Sequence, residues 1–220
     1  MNTEVNMALQ RLDSILPLVA GLRSLSDEDA GLYCKLLNSY VQQGRTLTRD
    51  EVAELVSDAA QALANIVDSK LIVLDADGNP AGAYPFTSEE REHKVHINGV
   101  TAHCMCALDA LSVSCMFNTP TVIDSQCRVS SEPIHIEQDG TSFTDGTLDA
   151  WFGINWGAAA SDSACASSLC MEMMFLANES VARDWLAESP DTREIFDLPS
   201  AVEFSAGFFV PLAENCRQAA

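Results

Sequence analysis

Apolar residues recur at helical spacing through roughly the first 80 positions and at strand spacing in several later segments. Leu9, Leu12, Leu16 and Val19 share one helical face, with Pro17 placed to bend or end that segment. Ser26-Asp27-Glu28-Asp29 opens a second helix, with acids where the helix dipole favours them. Leu32, Leu36, Leu37 and Tyr40 form its apolar stripe, and Gly44 is its stop. Thr48-Arg49-Asp50-Glu51 fits a capping box and predicts a third helix that turns Val52, Leu55, Val56 and Ala59 inward. Leu71-Ile72-Val73-Leu74, the turn residues 75–80 and Ala83-Tyr84-Pro85-Phe86 then read as strand, turn, strand. Three helices and a hairpin suggest a winged-helix-like helical domain over residues 1–86.

Residues 87–94 are polar and charged, as a linker would be, and a second domain over residues 87–220 follows. Asn98-Gly99 between Val95-His96-Ile97 and Val100-Thr101-Ala102 is a strong two-residue hairpin signal. Residues 106–117 read as a helix, with Leu108, Leu111 and Met116 as packing residues. Residues 121–123, 133–136 and 151–154 read as strands, 157–168 as a loop, 170–176 as a buried strand, and 180–188 and 200–215 as helices. The fold class is α+β: a winged-helix-like start, then a mixed β-sheet domain with flanking helices that carries the candidate chemistry.

Composition narrows the function classes. Hydrophobic residues make up 47% of the chain, but no apolar run approaches the ~20 residues of a membrane span. The N-terminal stretch lacks the basic start and compact apolar core of a signal peptide. These features predict a soluble, cytoplasmic protein. The formal net charge of −20 opposes nucleic-acid binding, which depends on phosphate neutralisation. The third predicted helix carries Asp50, Glu51, Glu54 and Asp58 against Arg49, the wrong sign for a recognition helix. A helical cover over the second domain is the plainer role for this region.

The eight cysteines are expected to be thiols or metal ligands rather than disulfides in such a compartment. Cys34, Cys115 and Cys216 read as small buried hydrophobes, and Cys127 as structural. Cys104 and Cys106 form a C-x-C pair, and Cys165 and Cys170 a C-x4-C pair. Four thiolates suit a structural zinc site, although zinc ribbons usually use C-x2-C knuckles. Alternatively Cys106 and Cys170 alone hold a soft metal. Asp109 favours that second arrangement. It stands three residues after Cys106, one helical turn away. A structural zinc site has no need for this acid, whereas cleavage of a carbon–metal bond needs a proton donor. The plain alternative for Asp109 is a hydrogen bond at a helix start.

Cys106-Ala107-Leu108-Asp109-Ala110-Leu111, behind the Val95–Ala102 hairpin, resembles the signature of alkylmercury (organomercurial) lyases. The resemblance continues through Ser125-Gln126-Cys127, Ser168-Leu169-Cys170, Met174-Phe175-Leu176-Ala177 and Ala182-Arg183-Asp184-Trp185, and so covers most of residues 84–190. It implies that Cys106 and Cys170 are the catalytic thiols and mercury ligands, that Asp109 handles the proton beside the metal, and that Cys127 is structural. It also implies no organic cofactor, low-molecular-weight thiols for turnover, and handover of mercury to a mercuric reductase. Met105 stands where the family commonly has Trp, and Met171-Glu172 where it often has Cys-His. These departures bear on substrate range, with organotin compounds as an alternative substrate class. The competing classes are a zinc- or soft-metal-binding winged-helix regulator and, with less support because no C-x-x-C occurs, a redox thiol enzyme.

Overall fold

The computed structural model describes residues 2–144, 149–159 and 165–218. Its helical beginning is punctuated by side-chain caps. Asn2 accepts the Glu4 amide at 2.7 Å and starts α1 (Thr3–Ile15). Pro17 separates this helix from α2 (Leu18–Ser24). Ser26 accepts the Asp29 amide and starts α3 (Asp27–Gln43), which stops at Gly44 with φ +71°. The capping box forms as expected: Thr48 Oγ1 accepts the Glu51 amide at 3.2 Å while Glu51 Oε2 accepts the Thr48 amide at 2.7 Å.

The third predicted helix is nevertheless two. α4 (Arg49–Ala53) ends after one turn, and Asp58 caps a separate α5 (Ala59–Asp68). A second good capping residue has won over continuation. Leu55 therefore lies 39% exposed instead of facing inward.

Eight strands form one antiparallel sheet. They are β1 (Ile72–Leu74), β2 (Pro80–Ala83), β3 (Phe86–Thr87), β4 (Lys94–Ile97), β5 (Val100–Cys104), β6 (Thr121–Gln126), β7 (Pro133–Asp139) and β8 (Ser142–Phe143), in the order β1-β2-β3-β5-β4-β6-β7-β8. Asn98 and Gly99 take φ +51° and +79°, so the β4–β5 hairpin turns as its sequence predicts. The expected strand over 83–86 breaks at the cis Tyr84–Pro85 bond, and Phe86 begins β3 beside β5. The β1–β2 hairpin is thus continuous with the large sheet.

A second antiparallel sheet has β9 (Trp151–Asn155) between β10 (Met173–Leu176) and β11 (Arg193–Asp197). The α+β class holds. The pairings are antiparallel among the described residues, where a mixed sheet was expected. The chain leaves β5 through α6 (Ala107–Phe117) and returns as β6 beside β4, running opposite to it. The predicted loop over 157–168 contains short 3-10 turns at Trp156–Ala158 and Cys165–Ser167; residues 160–164 lie outside the described set.

α6 is the central strut. It buries residues on almost every side and packs against β6, β10 and the long α8 (Leu198–Gln218). A helix apolar all round belongs inside a core. α7 (Glu179–Ala187) lies outside the smaller sheet and covers Gly153, whose missing Cβ leaves room for the Trp185 ring. α1 packs on α8. α3 docks on the large sheet through Tyr33, which donates to the Tyr84 carbonyl at 3.0 Å, and Tyr40, which stacks on Phe86.

Two of the cysteines expected as small hydrophobes are joined: Cys34 of α3 and Cys216 of α8 form a disulfide. Two apolar helical faces 182 residues apart converge with the Cα atoms 5.4 Å from each other, close enough for the bond. Among the described residues no helix is long and apolar enough to cross a membrane.

Candidate active site

The turn from β5 into α6 creates the site. Cys106 has extended backbone angles and is the N-cap of α6, its Sγ accepting the Asp109 amide at 3.5 Å. The helical spacing then returns Asp109 to the same end of the helix. Cys170 arrives from the other direction. It lies in a one-turn 3-10 helix, Leu169–Glu172, and not in the strand expected for it; β10 begins only at Met173. That tight turn folds its thiol back against α6. One sulfur from each cysteine and one oxygen of Asp109 all lie within 4.8 Å of one another. Cys106, Asp109 and Cys170 are 1%, 1% and 2% exposed.

Met173 Sδ lies 3.6 Å from Cys106 Sγ, and Cys165 Sγ lies 3.6 Å from Cys170 Sγ. Cys104 is buried in β5 but does not join the cluster. The four thiols of the zinc alternative are therefore not gathered around one point. Cys127 is elsewhere again: its Sγ accepts the Ser130 amide at 3.4 Å in the turn after β6.

Burial governs the protonation of the central groups. It pushes Cys106 up to about 11 and Asp109 up to about 7, although the Cys106 thiol and the Arg91 guanidinium pull the carboxyl the other way. Hydrogen bonds with the sulfurs of Cys106 and Cys165, and then burial, raise Cys170 well above the usual thiol value. Asp109 Oδ2 is buried without a hydrogen-bond partner among the described residues. A buried carboxyl with an unused oxygen, poised near neutrality beside two thiols, can hold a proton and give it up.

The walls come from far apart in sequence. Leu12 of α1, Leu16 just after its end, Tyr84, and Phe208 and Phe209 of α8 enclose the cluster, leaving a free volume of only about 10 Å³, about the room of one water. Arg91 braces the rim. Its Nη1 donates to the carbonyls of Met105 at 2.9 Å and Ala166 at 3.2 Å, while Glu89 accepts from Nε and Nη2. Arg91 thereby ties the β5–α6 junction to the segment carrying Cys165. The sequence pattern places Arg91 in a polar linker, Leu12 and Leu16 on a helical face and Tyr84 in a strand, with no signal that they meet at the cluster. The helical-cover role for the N-terminal region is the one these contacts support.

A family model described as alkylmercury lyase matches residues 86–210. The chain belongs to the alkylmercury lyase family. A solved structure titled "Crystal structure of the mercury-bound form of MerB2" aligns with a TM-score of 0.71 at 19% identity, over 93% of this chain and 99% of that one. No curated protein matches the sequence.

Two departures from the lyase pattern have a visible setting. Met105 takes the place of the family Trp, and its Cε lies 2.6 Å from where a Cβ on Gly82 would stand. Glycine in β2 is what makes room for this methionine. After Cys170, the carbonyl of Met171 accepts a hydrogen bond from Arg128, whose Nε also pairs with Glu92 at 2.6 Å. Arg128 follows Cys127, so the Cys127 turn reaches the Cys106–Cys170 cluster indirectly, by holding the turn that carries Cys170.

Proposed function

We propose that this member of the alkylmercury lyase family cleaves carbon–mercury bonds by protonolysis, with Cys106 and Cys170 binding mercury and Asp109 carrying the proton. The observation that carries the reading is the approach of two sulfurs and one carboxyl oxygen within 4.8 Å in a buried cluster. The organomercurial arrives bound to an external thiol. One protein thiol, Cys106 or Cys170, replaces that ligand and its proton leaves on the departing thiol. The second thiol then joins the metal as Asp109, protonated at the start, gives its proton to carbon and the carbon–mercury bond breaks. The proton of that thiol replaces the one Asp109 has given up, so that R–Hg–S–Cys plus Cys–SH gives R–H and mercury(II) held by two cysteine sulfurs. Two sulfurs are needed because each adds electron density at mercury and neutralises the charge left on the metal. Raising Asp109 to about 7 keeps a proton available at neutral pH.

No organic cofactor enters this scheme. Low-molecular-weight thiols deliver the substrate and strip the product, a mercuric reductase is the expected acceptor, and the cytoplasm is the compartment that supplies both. The Cys34–Cys216 disulfide departs from the expectation of thiols throughout, which rested on that compartment alone and not on which residues meet. The test is headspace analysis after mixing reduced protein, excess thiol and methylmercury. Methane above the thiol-only control supports the reading; its absence from folded, reduced protein overturns it.

A further inference from the structure

Cys165 is the thiol that the scheme above leaves unused. Its sulfur touches that of Cys170 at 3.6 Å, and it lines the same small cavity as Cys106, Asp109 and Cys170. Yet it stands outside the set whose ligand atoms all lie within 4.8 Å of one another. It is also 9% exposed, against 1% for Cys106 and 2% for Cys170. The geometry is that of a stepping stone, within reach of one metal-binding sulfur and nearer to solvent than both.

We infer that Cys165 is a relay thiol, which takes mercury(II) from the Cys106–Cys170 pair and presents it to external thiols. The inference rests on the lyase reading. Mercury(II) held between two buried thiolates leaves by ligand exchange, in which an incoming sulfur bonds before an old one departs. Cys165 is already in contact with Cys170, so its sulfur can bond to mercury before an external thiol does. Its S–H adds to mercury and its proton passes to the sulfur of Cys106 as that bond breaks. Mercury then lies between Cys165 and Cys170. Two external thiols complete the release, returning two protons to the protein sulfurs and leaving as a bis-thiolate complex. No electron is transferred at any step.

Arg91 keeps this relay in register. Its bond to the Ala166 carbonyl fixes the residue next to Cys165, while its bond to the Met105 carbonyl fixes the residue next to Cys106.

The experiment compares single-turnover and steady-state hydrocarbon release for the parent protein and Cys165→Ser, using phenylmercury in excess thiol. The ratio of steady-state to single-turnover rate is expected to fall about tenfold or more, equivalent to at least ~1.4 kcal/mol on the release step, with mercury remaining on the variant after the first benzene. An unchanged ratio overturns the relay. A second measurement needs no variant and no catalysis. The parent, reduced and loaded with one equivalent of mercuric ion, is alkylated with iodoacetamide and digested, and modification at Cys165 is quantified against metal-free protein. Protection of Cys165 is expected; an equal alkylation rate overturns the relay. Failure of the lyase reading itself would show as no benzene from the parent in the first turnover, an outcome separate from both.

Discussion

Cys34 and Cys216 meet and are bonded to each other; Cys106 and Cys170 meet and remain thiols. Both are buried pairs assembled from distant parts of the chain. The first lies between α3 and α8, two helices whose facing surfaces are apolar, and ties the two together. The second lies between a helix N-cap and a one-turn 3-10 helix, beside an acid whose outer oxygen has no partner among the described residues. Burial alone does not separate a staple from a reactive site. In the proposed reading the acid does, together with the tight turns that bring the two sulfurs and one carboxyl oxygen within 4.8 Å of one another. Cys127 stands apart from both pairs, its sulfur held by hydrogen bonds from Ser130, Val129 and the Ala177 backbone.

That contrast can be broken at several points. The largest effect is expected at Asp109. Replacing it with Asn should slow single-turnover carbon–mercury cleavage by about 10²–10⁴-fold, the usual worth of a positioned general acid, while mercury still binds. Parental cleavage in Asp109→Asn would leave the site with two thiols and no role for its acid.

The pH dependence has a defined sign. Asp109 must hold a proton to give one, and its folded value is about 7. Single-turnover cleavage should therefore fall as pH rises through that value. Stability follows the same direction: the folded protein binds this proton more tightly than the unfolded chain, so the contribution is present in full at low pH and is lost as pH rises toward 7. Asp109→Asn should thus raise Tm at pH 8 relative to the parent, and an inactive variant with higher Tm would separate chemistry from structure.

At the staple the expectations reverse. The paired change Cys34→Ser and Cys216→Ser should cost about 2–5 kcal/mol of stability and leave cleavage measurable below the new melting temperature. Complete loss of cleavage in folded protein would show that the α3–α8 link also shapes the cover of the site. The smallest effect is expected at Cys127. A hydroxyl in place of its buried thiol should cost about 1–3 kcal/mol and lower Tm by several degrees. An inactive Cys127→Ser protein with parental Tm would mean that its turn, through Arg128 and the Met171 carbonyl, acts on chemistry and not on stability.

How much of this was legible in the sequence depended on whether the signal was local. The N-cap of α3, the capping box at Thr48 and the Asn98-Gly99 hairpin each rest on a few neighbouring residues, and each formed. The one-turn spacing of Cys106 and Asp109 was equally local. The break between α4 and α5 was missed because the apolar stripe continued past Ala53 while a new cap at Asp58 competed with it. β11 was missed because Arg193-Glu194-Ile195-Phe196-Asp197 carries charge at both ends; Arg193 lies over the Trp185 ring instead of in solvent. The disulfide left no trace, since each of its cysteines sits unremarkably on an apolar helical face. The cover of the site was hidden for a related reason: Leu12, Leu16 and Phe208 look like any core residues until the fold brings them over the cluster.

The central claim is that the sulfurs of Cys106 and Cys170 act on one mercury atom. It is tested most directly by mixing one equivalent of phenylmercury with protein whose Cys106 and Cys170 are thiols and whose Cys34–Cys216 disulfide is intact, and following benzene through a single turnover in the parent, Cys106→Ser and Cys170→Ser. The account predicts one benzene per parent molecule and loss of the reaction in both variants. Benzene released at the parental rate by either folded serine variant would contradict it.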